Sequence, residues 1–72
     1  MDDKLIIEGT IKECLRGTEF SVELDINGVK KLVVGYISGK MRKHYVKVAP
    51  GDRVLIELTQ YDLNRGRIVR RL

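Results

Sequence analysis

Hydrophobic and polar residues alternate along much of this chain with a period of two, the spacing of strands that bury one face. Lys4 to Leu15 is rich in β-branched residues. Leu5, Ile7 and Ile11 share one parity and Gly9 interrupts them, which predicts a long strand bent at the glycine. Arg16-Gly17-Thr18 then turns the chain. Phe20, Val22, Leu24 and Ile26 alternate with Ser21, Glu23 and Asp25 in a second strand, followed at once by Asn27-Gly28. That dipeptide accepts the positive φ angles of a type I′ turn and predicts a two-residue hairpin onto Val29 to Ser38.

Counting back from the turn fixes the register. Ile26 meets Val29, Val22 meets Val33 and Phe20 meets Gly35 on one face, and Asp25 meets Lys30 on the other. Lys31 opposite Leu24 fits a core less well, so the tip is expected to project beyond it.

Ser38 is placed to cap a short helical turn in which Met41 and Tyr45 lie four residues apart and face inward, while Lys40, Lys43 and His44 share another face. Val46-Lys47-Val48 leaves this turn and Ala49-Pro50-Gly51-Asp52 makes a tight loop. Val54, Ile56 and Leu58 mark a fourth strand. A loop from Gln60 to Gly66 is expected before a last strand from Arg67 to Arg71. The result is an all-β chain of five strands with one helical segment between the third and fourth, the order of an OB-fold barrel. With no repeat, low-complexity segment or Ser/Pro-rich linker, residues 1–72 read as one domain.

Small size changes the picture of stability. A chain of this length buries only about 60% of its unfolded surface, and such scaffolds often add disulfides or a metal. Cys14 has no second cysteine and is expected to be a packed thiol, and His44, the single histidine, cannot complete a zinc site. Closure of the sheet is the remaining route. With no apolar run of about 18 residues and no basic-then-apolar start, the reading is a soluble protein of a reducing compartment, without a membrane partner.

Charge then narrows the function. The net charge is +4, but residues 1–36 carry five bases and seven acids, for −2, whereas residues 37–72 carry nine bases and three acids, for +6. A basic half suggests a polyanion partner, against the plainer reading that charged loops keep the domain soluble. Enzyme chemistry has little to stand on. His44 sits among bases rather than beside a carboxylate, and Asp52, Glu57 and Asp62 fall in a turn, on an outward strand position and in a loop, so no catalytic residue, metal or cofactor is assigned.

The bases gather as Lys40, Arg42, Lys43, His44 and Lys47 and as Arg65, Arg67, Arg70 and Arg71, both expected to be exposed at or near loops, where several cations can meet a phosphate backbone at once. The aromatics are Phe20, Tyr36, Tyr45 and Tyr61, with Phe20 and Tyr45 assigned to the core. A single-strand binder needs a row of exposed aromatics, so recognition of a folded RNA by shape and phosphate, with Tyr61 or Tyr36 offered to a base, fits better. Another OB-type RNA or single-stranded DNA binder, and a barrel that binds protein, stay open at this point.

Ser38-Gly-Lys-Met-Arg-Lys-His-Tyr-Val-Lys-Val48 resembles the signature of bacterial translation initiation factor 1. Tyr61-Asp-Leu-Asn-Arg-Gly-Arg-Ile-Val69 is similar to the C-terminal motif of that family, and Pro50-Gly-Asp-Arg-Val54 lies between them as in its members. Ile7-Glu-Gly-Thr10 and Phe20-Ser-Val-Glu-Leu24 carry the likeness toward the N-terminus. The resemblance implies an OB-fold of S1-type that is not an enzyme. It would occupy the aminoacyl site of the small ribosomal subunit, against ribosomal RNA and a neighbouring ribosomal protein. It would assist the other two initiation factors and be a monomer off the ribosome.

By resemblance, Lys40, Arg42, Lys43, Tyr45 and Lys47 match the basic loop segment, with Tyr45 structural, and Arg65 and Arg67 match a second contact region; His44 and Tyr61 complete the expected RNA-binding set. Arg16 to Phe20, the longer hairpin at Asp25 to Lys31, and Gln60 in place of a common proline depart from the family pattern. Gly35-Tyr36 resembles plastid members, so a bacterial cytoplasm and a plastid stroma are both compatible.

Overall fold

The computed structural model describes residues 4–39 and 48–72. Five strands account for most of them: β1 (Lys4–Arg16), β2 (Glu19–Ile26), β3 (Val29–Ile37), β4 (Arg53–Thr59) and β5 (Asp62–Arg71). They hydrogen-bond in the order β1-β2-β3-β5-β4, and β4 also pairs with β1, so the sheet is a continuous ring. The helical segment expected between the third and fourth strands, with Met41 and Tyr45, falls in residues 40–47, outside the described residues.

The β2–β3 hairpin has the expected register. Asn27 and Gly28 take φ of 54° and 82°, and Ile26 pairs with Val29, Asp25 with Lys30, Leu24 with Lys31, Val22 with Val33 and Phe20 with Gly35. The Gly28 amide donates to Asp25 Oδ1 at 3.1 Å, which ties the turn to the acid before it. Ile26 and Val29 are exposed, because the tip extends past the ring and no strand faces their inward side.

β1 serves two neighbours. Its first half, Lys4 to Thr10, pairs with β4, and its second half, from Gly9, pairs with β2. The strand changes partners at Gly9. A Cβ there would meet Val22 Cγ1 at 2.6 Å and Leu24 Cδ2 at 2.7 Å, so only glycine lets the bent strand lie against the core. Ile11 is fully buried, Ile7 packs at the edge of the core and Leu5 is exposed at the rim. Cys14 corrects the expectation of a packed thiol. Register shifts after Ile11 and after Cys14 carry the end of β1 beyond the core, the thiol is exposed, and its Sγ donates to the Arg16 carbonyl at 3.2 Å.

The inward residues of the other strands complete the core: Phe20, Val22, Leu24, Val33, Ile37, Val54, Ile56, Leu58 and Ile68. The loop before β4 is a tight turn. Gly51 has φ of 95°, the Asp52 amide donates to the Ala49 carbonyl at 3.0 Å, and the Ala49 amide donates to Asp52 Oδ2 at 2.9 Å. Pro50 and Gly51 are the central residues such a turn favours.

The last connection differs from the expected loop of Gln60 to Gly66. Only Gln60 and Tyr61 turn, and β5 begins at Asp62, opposite Thr59. Opposite β4 the strand then carries extra residues, since its next pair there is Arg67 with Glu57. In that interval it leaves β4 and runs parallel to β3, Val34 beside Arg65 through Ile37 beside Ile68. The polar, glycine-containing stretch therefore makes the seam that closes the ring.

Candidate nucleic-acid interface

The seam places its charged residues on the outer surface. Gly66 and Ile68 point inward on β5, so Arg65 and Arg67, of opposite parity, point outward. Outward positions on neighbouring strands share this surface: Glu19 and Tyr36 are cross-strand partners on β2 and β3, Tyr36 lies beside Arg67, and Glu57 of β4 lies on its other side. Tyr36, Glu57, Arg65, Arg67 and Lys4 border an open groove of about 520 Å³ that Gly66 also lines.

Each arginine is held by an acid. Arg65 Nη2 donates to Glu19 Oε2 at 2.7 Å, and its guanidinium carbon lies 5.6 Å from the centroid of the Tyr36 ring. The side chain thus crosses β3, gripped by a carboxylate and lying over an aromatic face, the two contacts that a planar guanidinium makes well. Arg67 Nη2 donates to Glu57 Oε1 at 2.8 Å, while Lys4 Nζ approaches the same oxygen at 4.0 Å. Arg67 Nε is buried and has no partner among the described residues.

The expected site residues therefore divide. Tyr61 stands at the β4–β5 turn and is 82% exposed. Arg65 is exposed and lies within a strand rather than in a loop, because β5 begins earlier than expected, and Arg67, expected at the start of the last strand and exposed, is half-buried in its middle. Arg70 and Arg71 continue the strand and are exposed. Lys40, Arg42, Lys43, His44 and Lys47 lie outside the described residues. Glu57, expected to be merely solvated, is the half-buried partner of two cations. Asp62 is exposed and accepts from the Asn64 amide at 3.0 Å.

Sequence reasoning missed Glu19, Glu57 and Lys4 as members of this surface, and it offered Tyr36 to a base rather than to an arginine. The hairpin count that pairs Phe20 with Gly35 also pairs Glu19 with Tyr36, so that part was within reach. The approach of Arg65 to Glu19 and Tyr36 depends on the parallel β3–β5 pairing, and that of Arg67 to Glu57 on the shifted β4–β5 register, neither of which a local signal marks.

The opposite side of the ring has a second, mixed-charge groove of about 450 Å³, where Glu23 meets Lys12 at 3.9 Å and Lys30 at 3.6 Å, and Glu8 pairs with Arg53. Among the described residues no group of three or more His, Cys, Asp or Glu is arranged to hold a metal. None of their helices is long and apolar enough to cross a membrane.

No family model matches the sequence. A solved structure does: the solution structure of translation initiation factor 1 from the Wolbachia endosymbiont strain TRS of Brugia malayi. It superposes with a TM-score of 0.74 at 37% sequence identity, over 99% of this chain and 80% of that one.

Proposed function

The chain belongs to the translation initiation factor 1 family, and we propose that it acts at the start of translation by occupying the aminoacyl site of the small ribosomal subunit. In this reading residues 1–72 are one OB-fold domain. The seam surface with Arg65 and Arg67, together with Lys40, Arg42, Lys43, His44 and Lys47, meets phosphates of ribosomal RNA, and Tyr61 is offered to a base. A ribosomal protein lines the same site, the other two initiation factors are its partners, and the setting is the cytoplasm of a bacterium.

The observation that carries the reading is the likeness to a solved initiation factor along nearly the whole chain. The surface chemistry agrees with it. Of the two tyrosines among the described residues, both exposed, Tyr36 already has an arginine over its ring, so these residues offer no row of stacking platforms for an unstructured strand. Cations fixed in place on a rigid sheet suit a folded RNA whose phosphates are themselves fixed in space.

Cosedimentation with isolated small subunits tests the proposal directly. Binding is expected, and a transfer-RNA anticodon stem-loop should compete with it for the aminoacyl site. Simultaneous saturation by both would refute the site. Tight binding to a short unstructured oligonucleotide, with quenched tyrosine fluorescence and no affinity for subunits, would establish the single-strand alternative.

A further inference from the structure

Within the RNA-binding reading above, we propose that Glu19 and Glu57 are positioning residues that set the specificity of the seam surface, by holding Arg65 and Arg67 in fixed orientations that only a folded RNA can use. The sequence offers these acids as ordinary outward strand positions. The structure makes them the inner halves of two ion pairs. Side-chain exposure is 25% for Glu19 against 54% for Arg65, and 16% for Glu57 against 43% for Arg67. Each carboxylate is thus sheltered on the sheet, and its arginine reaches past it toward solvent.

Each guanidinium has five N–H donors and gives one to its acid, so it can stay paired and still donate to a phosphate. Arg65 is further restrained by the Tyr36 ring and Arg67 by the neighbouring strands. A side chain ordered before binding does not lose its conformational entropy at the moment of binding.

The two effects oppose one another in a way that separates RNA classes. An acid beside each arginine repels any phosphate, folded or not, so it weakens all RNA binding by a similar modest factor. Fixed orientation helps only a ligand whose phosphates arrive in a matching arrangement. An unstructured strand adapts to a mobile arginine as well as to a fixed one. The acids thus lower affinity for unstructured RNA and preserve it for the folded target.

Glu19→Gln and Glu57→Gln keep side-chain volume and a neutral acceptor but remove the charge-assisted bond. Glu23→Gln is the control, because it removes the same charge from lysine pairs on the opposite groove. Binding would be measured to isolated small subunits and to oligo(U). Each seam variant should bind oligo(U) about twofold more tightly, from the lost repulsion at roughly 7 Å with screening. Its preference for subunits over oligo(U) should fall about fivefold through lost preorganisation. Glu23→Gln should leave that preference unchanged. An unchanged or increased preference in the seam variants, or the same fall in Glu23→Gln, overturns the proposal.

NMR relaxation of the Arg65 and Arg67 Nε–H groups gives a readout that needs no ribosome. Both should be as rigid as the strand in the parent and mobile in the corresponding variant. Equal mobility before and after substitution also overturns the inference. If the parent failed to bind subunits while its arginines loosened as expected, the fault would lie with the functional reading and not with the role of the acids.

Discussion

Replacing Gly66 with alanine would add a methyl group on the inward face of β5, against residues of β4. The added Cβ would lie 2.5 Å from Leu58 Cδ2, 2.8 Å from Ile56 Cγ1 and 2.8 Å from the Glu57 carbonyl oxygen. Leu58 and Ile56 can turn to other rotamers. The Glu57 oxygen is backbone, held in a strand that pairs on both sides, and cannot retreat without moving β4. Overpacking of this kind costs about 1–3 kcal/mol, and the backbone clash places Gly66→Ala at the upper end, about 2–3 kcal/mol.

For a chain of 72 residues the total stability is about 4–11 kcal/mol, so the loss is a large share of it. At about 4–8 °C per kcal/mol for a domain of this size, the melting temperature should fall by about 10–20 °C. Thermal unfolding followed by circular dichroism measures this. Gly35→Ala, whose Cβ would meet only the side chains of Val22 and Ile68 at 2.8 Å and beyond, should cost less. Gly17→Ala, with open space around it, should stay within about 0.5 kcal/mol of the parent. If Gly66→Ala melted within about 3 °C of the parent, or if the order of the three were reversed, the close packing of the seam would be disproved.

Arg65→Ala and Arg67→Ala should each weaken binding to small subunits and reduce its salt slope by about one unit, whereas replacing Lys30 and Lys31 at the projecting hairpin tip should do so less; a salt series on all three variants decides. Gly28→Ala should destabilise the fold by about 1 kcal/mol, because Gly28 holds φ of 82°, and should leave subunit binding in the folded protein unchanged. Urea denaturation together with cosedimentation checks both halves. Cys14 should react with a thiol reagent in the native protein at close to the rate of the urea-unfolded chain, as its exposure at the end of β1 requires; protection by folding would contradict the placement.

What could be read without the fold was what neighbouring residues enforce. Asn27-Gly28 sets one hairpin register through its own backbone angles, and every cross-strand pair from Ile26–Val29 to Phe20–Gly35 follows by counting. Period-two alternation identified the inward residues of β2 and β4, because a strand has only two faces. Pro50-Gly51 marked its turn for the same local reason. The resemblance to a known family likewise rested on residues adjacent in sequence, and a solved relative agrees with it.

Whatever depends on how the ring closes lay beyond such reasoning. Alternation does not say where a strand ends relative to its neighbours, so the exposure of Leu5 and Cys14 was not legible from it. The length of β5 could not be read from its polar first half, which pairs with β4 at Asp62 and then with the distant β3 from Arg65. Glu19 and Arg65 are 46 residues apart and meet only because β3 lies between their strands. Residue types alone were enough to say which side chains could carry charge to an RNA. That Arg65 is held by an acid follows only from the β3–β5 pairing, which brings distant strands side by side, and that Arg67 meets Glu57 follows from the register of β4 and β5, which the extra residues of β5 set.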